Sequence, residues 1–109
     1  MTFDLFVWHE PSPISADAAE AKVREGRFRA HPAVPALRDE LLRRFPPQQS
    51  PGVWTMTPDT SDGVLALSCV WSRAGEFGDA VRTLAAEHGL VCYEPGTRLL
   101  DPNAPGHDH

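Results

Sequence analysis

The stretch "HGLVCYEP", residues 88–95, constrains the fold more than any other phrase in the chain. His88 and Gly89 close an amphipathic helix. A histidine in the last turn suits the negative end of the helix dipole, and a glycine just beyond it takes the left-handed backbone of a helix stop. Leu90 supplies the apolar contact behind that stop. A strand then starts at once, carries Cys92 and Tyr93, and breaks at Pro95. Helix and strand follow each other here with no linker, which points to a layered α+β domain.

The remaining elements follow from periodicity. "FDLFVW", residues 3–8, is a strand with Phe3, Leu5 and Val7 on one face and Asp4, Phe6 and Trp8 on the other. The prolines of "HEPSPIS" end it. Ser15 is placed to cap a short helix, Asp17 suits its first turn, and Ile14 can staple onto Ala18 or Ala19. That helix ends near Gly26, and its apolar face is mostly alanine, so it packs closely but buries little. A second helix spans residues 34–45, with Val34, Leu37, Leu41 and Phe45 in a stripe, and the prolines of "PPQQSPG" stop it.

Residues 53–57 and 64–72 read as a hairpin around "PDTSDG", with Gly63 free to take positive φ. In the second arm Leu65, Leu67, Cys69 and Trp71 share one face, and Val64, Ala66, Ser68 and Val70 share the other. Ser72 is placed to cap a third helix from about Gly75 to His88, with Phe77, Val81, Leu84 and Ala85 in its stripe. "RLL" at 98–100 adds a short piece. The order is therefore β-α-α-β-β-α-β. It predicts a ferredoxin-like α+β sandwich, with an antiparallel sheet of about four strands, the first strand in the middle, and helices mainly on one face. Residues 1–100 form one domain, and "DPNAPGHDH" at 101–109 is a polar, flexible tail.

The bulk composition narrows the function. A chain of 109 residues is one domain, and 41% hydrophobic content with three Trp and five Phe supports a modest core. The net charge of -5 argues against nucleic acid and anionic membranes as partners. The N-terminus lacks a basic, apolar leader, and no window approaches the roughly 20 apolar residues that span a bilayer. The expectation is a cytoplasmic protein.

Sites for chemistry are sparse. None of the phosphate-loop, dinucleotide, nucleophile-elbow or zinc-protease motifs occurs. "DTSDG" lacks the ligand alternation of a calcium loop and reads as a turn. Cys69 and Cys92, on strands that could neighbour each other, read as buried free thiols. His9 beside Glu10 has the residue types for acid–base work, but adjacent strand residues point to opposite faces. His31 reads as solvated. The tail "HDH" carries ligand types without a preorganised geometry. No cofactor, metal site or catalytic residue is expected. With helices on one sheet face, Phe6, Trp8, Trp54 and Met56 share the other. An acidic aromatic face of that kind suits a protein partner, or a second copy of the chain, better than a nucleic acid.

Three phrases, "FDLFVW", "VWS" and "LAAEHGLVCYEP", together resemble small bacterial proteins of unassigned function whose last element reads A-x-x-H-G-L-V-x-Y-[DE]-P. Such families include candidate immunity proteins against bacterial toxins, so the resemblance implies a partner-binding role. The leading expectation is a non-catalytic cytosolic module, monomer or homodimer, that masks or regulates a basic protein partner. The alternative is a small-molecule-binding or catalytic ferredoxin-like domain, formed at a dimer interface.

Overall fold

The structure, a computed structural model, describes residues 2–10, 13–26, 28–46, 63–95 and 98–100. Its elements are β1 (Thr2–Trp8), α1 (Ala16–Glu25), α2 (Ala33–Arg44), β2 (Leu65–Val70), a 3-10 turn (Trp71–Arg73), α3 (Ala74–Glu87), β3 (Val91–Glu94) and β4 (Arg98–Leu100). The strands form one antiparallel sheet in the order β2-β1-β3-β4, so the first strand lies inside the sheet. β1 runs along β2 with Leu5 opposite Leu67, and along β3 with Val7 opposite Cys92. β4 is a three-residue strip at the edge beside β3. The hairpin arm expected at residues 53–57 lies outside the described residues.

Local chemistry explains where the helices start and stop. The Ser15 hydroxyl accepts the Ala18 N–H at 3.1 Å, which caps α1, and Gly26 closes it at φ 72°. The C-terminus of α3 is a Schellman turn. The Leu90 N–H donates to the Ala85 carbonyl at 2.8 Å, the Gly89 N–H donates to the Ala86 carbonyl at 3.1 Å, and Gly89 sits at φ 69°. Leu90 is buried behind it, as "HGL" requires. At the other end of α3 the expectation fails. Ser72 makes no cap, because residues 71–73 form the 3-10 turn and α3 begins at Ala74. β2 consequently ends at Val70, and Trp71 leaves the strand face it was expected to share with Leu67 and Cys69.

Two apolar layers result. On one face of the sheet, Leu5, Val7, Leu65, Leu67, Cys69 and Cys92 pack against α2 and α3. Phe45 and Phe77 meet edge to face there, with ring centroids 5.4 Å apart. The other face carries Trp8, Val91 and Tyr93, and α1 lies over it with Ala19 fully buried. Two of the three helices thus share one face, and the alanine-rich one covers part of the second.

Candidate functional site

The covering of that second face changes the expected aromatic surface. Trp8 is 1% exposed. Its ring lies 5.1 Å from Phe28 and 6.4 Å from Tyr93, centroid to centroid. Phe6 is half-buried in the same layer. An open surface including Trp8 is therefore corrected to a closed one, because α1 and Phe28 lie over the ring. Trp54 and Met56, the other two members of that surface, lie outside the described residues.

Beside Trp8 sits a polar group, Glu10, that the sequence reading considers only as a neighbour of His9. Residues 8 and 10 share a side, so Glu10 turns toward α1. Its Oε1 accepts the Trp8 indole N–H at 2.8 Å and also the Lys22 ammonium from α1. Lys22 in turn lies 5.9 Å from the centre of the Phe28 ring. Glu10 is 9% exposed, so this is a nearly buried carboxylate answered by a cation and an indole.

His9 points away from it. Its imidazole stacks on that of His31, with centroids 4.0 Å apart and planes 10° from parallel. The expected adjacency of His9 and Glu10 therefore produces no acid–base pair. His31, expected in solvent, is half-buried, and its Nδ1 accepts the Ala33 N–H at 3.1 Å at the start of α2. Parallel rings hold their lone pairs in parallel planes, so one metal ion cannot lie in both. Among the described residues no group of three or more His, Cys, Asp or Glu side chains is placed to hold a metal. Next to His31 is an open cleft of about 260 Å³, lined by Ala30, Pro32, Val34, Pro35 and Gly63 as well as His31 itself. The lining is mainly apolar.

The two thiols are buried and apart. Cys69 is opposite Phe3 and Cys92 opposite Val7, with β1 between them. Two strand spacings and a four-residue offset separate their Cα atoms by roughly 16 Å, well beyond disulfide reach. They do not sit on neighbouring strands, because β1 occupies the place between. Burial pushes the Cys69 thiol up to about 11, the nearby Asp4 charge adds to this, and Arg73 opposes it. A thiol so placed is a weak nucleophile at neutral pH.

Trp71 is the feature that periodicity missed. It is 57% exposed, the one exposed large hydrophobic side chain among the described residues. Phe3 meets it in a T-shaped contact at 5.9 Å, which holds the indole at the end of the sheet. Arg73, two residues on, pairs with Glu76 at the start of α3. The signal was present in "VWSRAGE": a helix beginning at Ala74 needs a turn before it, and that turn takes Trp71 out of the strand's alternation. On the helices, Arg43 pairs with Glu40 at 2.6 Å and Arg82 with Asp79 at 2.7 Å.

No helix among the described residues is long and apolar enough to cross a membrane. The chain matches no family model, no curated protein and no solved structure.

Proposed function

We propose that the chain is a non-catalytic, cytosolic binding module that acts through protein–protein contacts, in the manner of an immunity protein. Exposed Trp71, braced by Phe3, is the observation that carries this reading. A tryptophan gives more contact area per fixed side chain than most residues and is enriched where binding energy concentrates. An indole already held by a neighbour loses little freedom when a partner closes over it. The net charge of -5 favours a basic partner and speeds encounter with it at low salt. The proposal includes the ferredoxin-like sheet that the element order predicts. It also places the chain with the small bacterial proteins that its end phrases resemble.

Affinity capture from the native host tests this, with wild type beside Trp71→Ala at about 50 and 300 mM salt. The expected result is a specific protein that binds wild type, is lost with Trp71→Ala, and weakens at the higher salt. A partner retained in full by Trp71→Ala overturns the assignment of the surface. The cleft beside His31 supports a second reading, a small-molecule domain. A small molecule that stays with the protein through purification, with no captured protein, favours that reading instead.

A further inference from the structure

We propose that the cleft beside His31 binds a small molecule with a single ring and one oxygen that accepts a hydrogen bond, a carbonyl or a carboxylate. The inference rests on the second reading, the small-molecule domain, and is independent of Trp71.

The cleft has the size and the walls for one ring. Its volume of about 260 Å³ falls below the roughly 300–1,000 Å³ of pockets that enclose drug-sized ligands. Pro32, Val34 and Pro35 supply apolar wall, and Val34 is 1% exposed, so it belongs to the core as well as to the cleft. Gly63 closes one side with bare backbone. It is buried at φ 81°, and a Cβ there would stand 3.1 Å from the Phe28 carbonyl oxygen and from the Arg29 carbonyl carbon. That wall is two stretches of backbone pressed together, and Gly63 has no side chain to swing into the space.

One polar group completes the lining. Among the described lining residues, His31 alone has side-chain polar atoms. Its Nδ1 accepts the Ala33 N–H at 3.1 Å, so in the neutral ring the proton sits on Nε2. Nε2–H is then a donor, and it has no protein acceptor among the described residues. The imidazole is held from two directions. Ala33 fixes its edge, and His9 covers one face with the rings 4.0 Å apart. A donor already oriented loses little freedom when a ligand pairs with it.

These features select the ligand. An apolar wall favours a ring, and a single fixed donor favours an acceptor oxygen on it. A cationic ligand would find no carboxylate side chain among the described lining residues, and a ligand with donors alone would leave Nε2–H unmatched.

Benzamide and benzoate are the probes. They share the ring and the acceptor oxygen and differ in charge, so they separate a neutral carbonyl from a carboxylate. Toluene has the ring without the oxygen. Each is titrated into the isotope-labelled full chain and read from backbone amide resonances. At least one oxygenated probe should shift the amides of Ala30, His31, Ala33 and Gly63 saturably at millimolar concentration, and toluene should bind at least fivefold more weakly. His31→Phe keeps a ring and loses the donor, and should bring the oxygenated probe down to the affinity of toluene. If that variant does not fold, Ala30→Leu replaces it. Ala30 is an exposed residue of the lining, so this change leaves the Ala33 bond alone and should weaken every probe at least fivefold. No saturable shift with any of the three overturns the cleft as a ligand site, and the second reading with it. Toluene binding as tightly as both oxygenated probes overturns the ligand class alone, as does undiminished binding to His31→Phe. None of these results touches the reading of Trp71.

Discussion

Replacing Glu10 by alanine isolates what the carboxylate contributes to the second sheet layer. Trp8 is 1% exposed, so its indole N–H has no route to water once the Glu10 oxygen at 2.8 Å is gone. Leaving a buried donor unsatisfied costs about 1–3 kcal/mol. The ion pair adds less. Lys22 keeps 30% of its side-chain exposure, and partly solvated pairs are worth at most about 1 kcal/mol. Glu10→Ala should therefore lose about 2–3 kcal/mol in urea unfolding followed by far-UV circular dichroism. For a chain of this length that is a fall in Tm of roughly 9–13 °C. Glu10→Gln keeps an oxygen for the indole and should lose about 1 kcal/mol or less. Lys22→Met removes only the cation and should stay within about 1 kcal/mol of wild type. The reasoning fails if Lys22→Met costs as much as Glu10→Ala, since the charge pair would then dominate over the indole bond.

Three further outcomes follow from the same coordinates. Arg82 lies 3.6 Å from the buried Glu94 carboxylate and 2.7 Å from Asp79, which is 80% exposed, so Arg82→Ala should cost about 2–3 kcal/mol and Asp79→Ala under about 0.5 in the same unfolding assay. Cys69 is raised from 9.0 to about 11 by burial, so the unfolded chain ionises first; its contribution to stability is complete below pH 9 and lost as pH rises toward 11. A denaturation series across pH 8–11 should show that decline in wild type, and a shallower one in Cys69→Ala. Gly63 has φ 81°, and an added Cβ would meet the Arg29 and Phe28 backbone at 3.1 Å, whereas Gly26 at φ 72° has open space. Gly63→Ala should therefore lower Tm clearly more than Gly26→Ala, where strain of about 1 kcal/mol acts alone.

Much of the scaffold was legible because its signals are local. The cap at Ser15, the stop at Gly26, the stripe of Val34, Leu37 and Leu41, and the turn at Gly89–Leu90 each depend on a few neighbouring residues. Alternation also placed Phe3, Leu5 and Val7 opposite Phe6 and Trp8. Long-range choices were less legible. An alanine-rich helix has too weak a stripe to announce which sheet face it will cover, so α1 over Trp8 could not be read from residues 16–25. The stacking of His9 on His31 joins residues 22 positions apart and leaves no mark on either segment. Trp71 was misplaced because alternation was carried one residue past the end of β2, where the 3-10 turn begins. Glu10 was within reach, since it shares parity with Trp8, but its partner Lys22 depended on the unseen docking of α1.

The most direct test of the binding-module account is a hydrogen-exchange footprint of the wild-type protein with its captured partner. The account predicts new protection at residues 70–76 and at the start of β1, around Trp71 and Phe3. Protection confined to residues 30–35 and Gly63, the cleft beside His31, with none around Trp71, would contradict it.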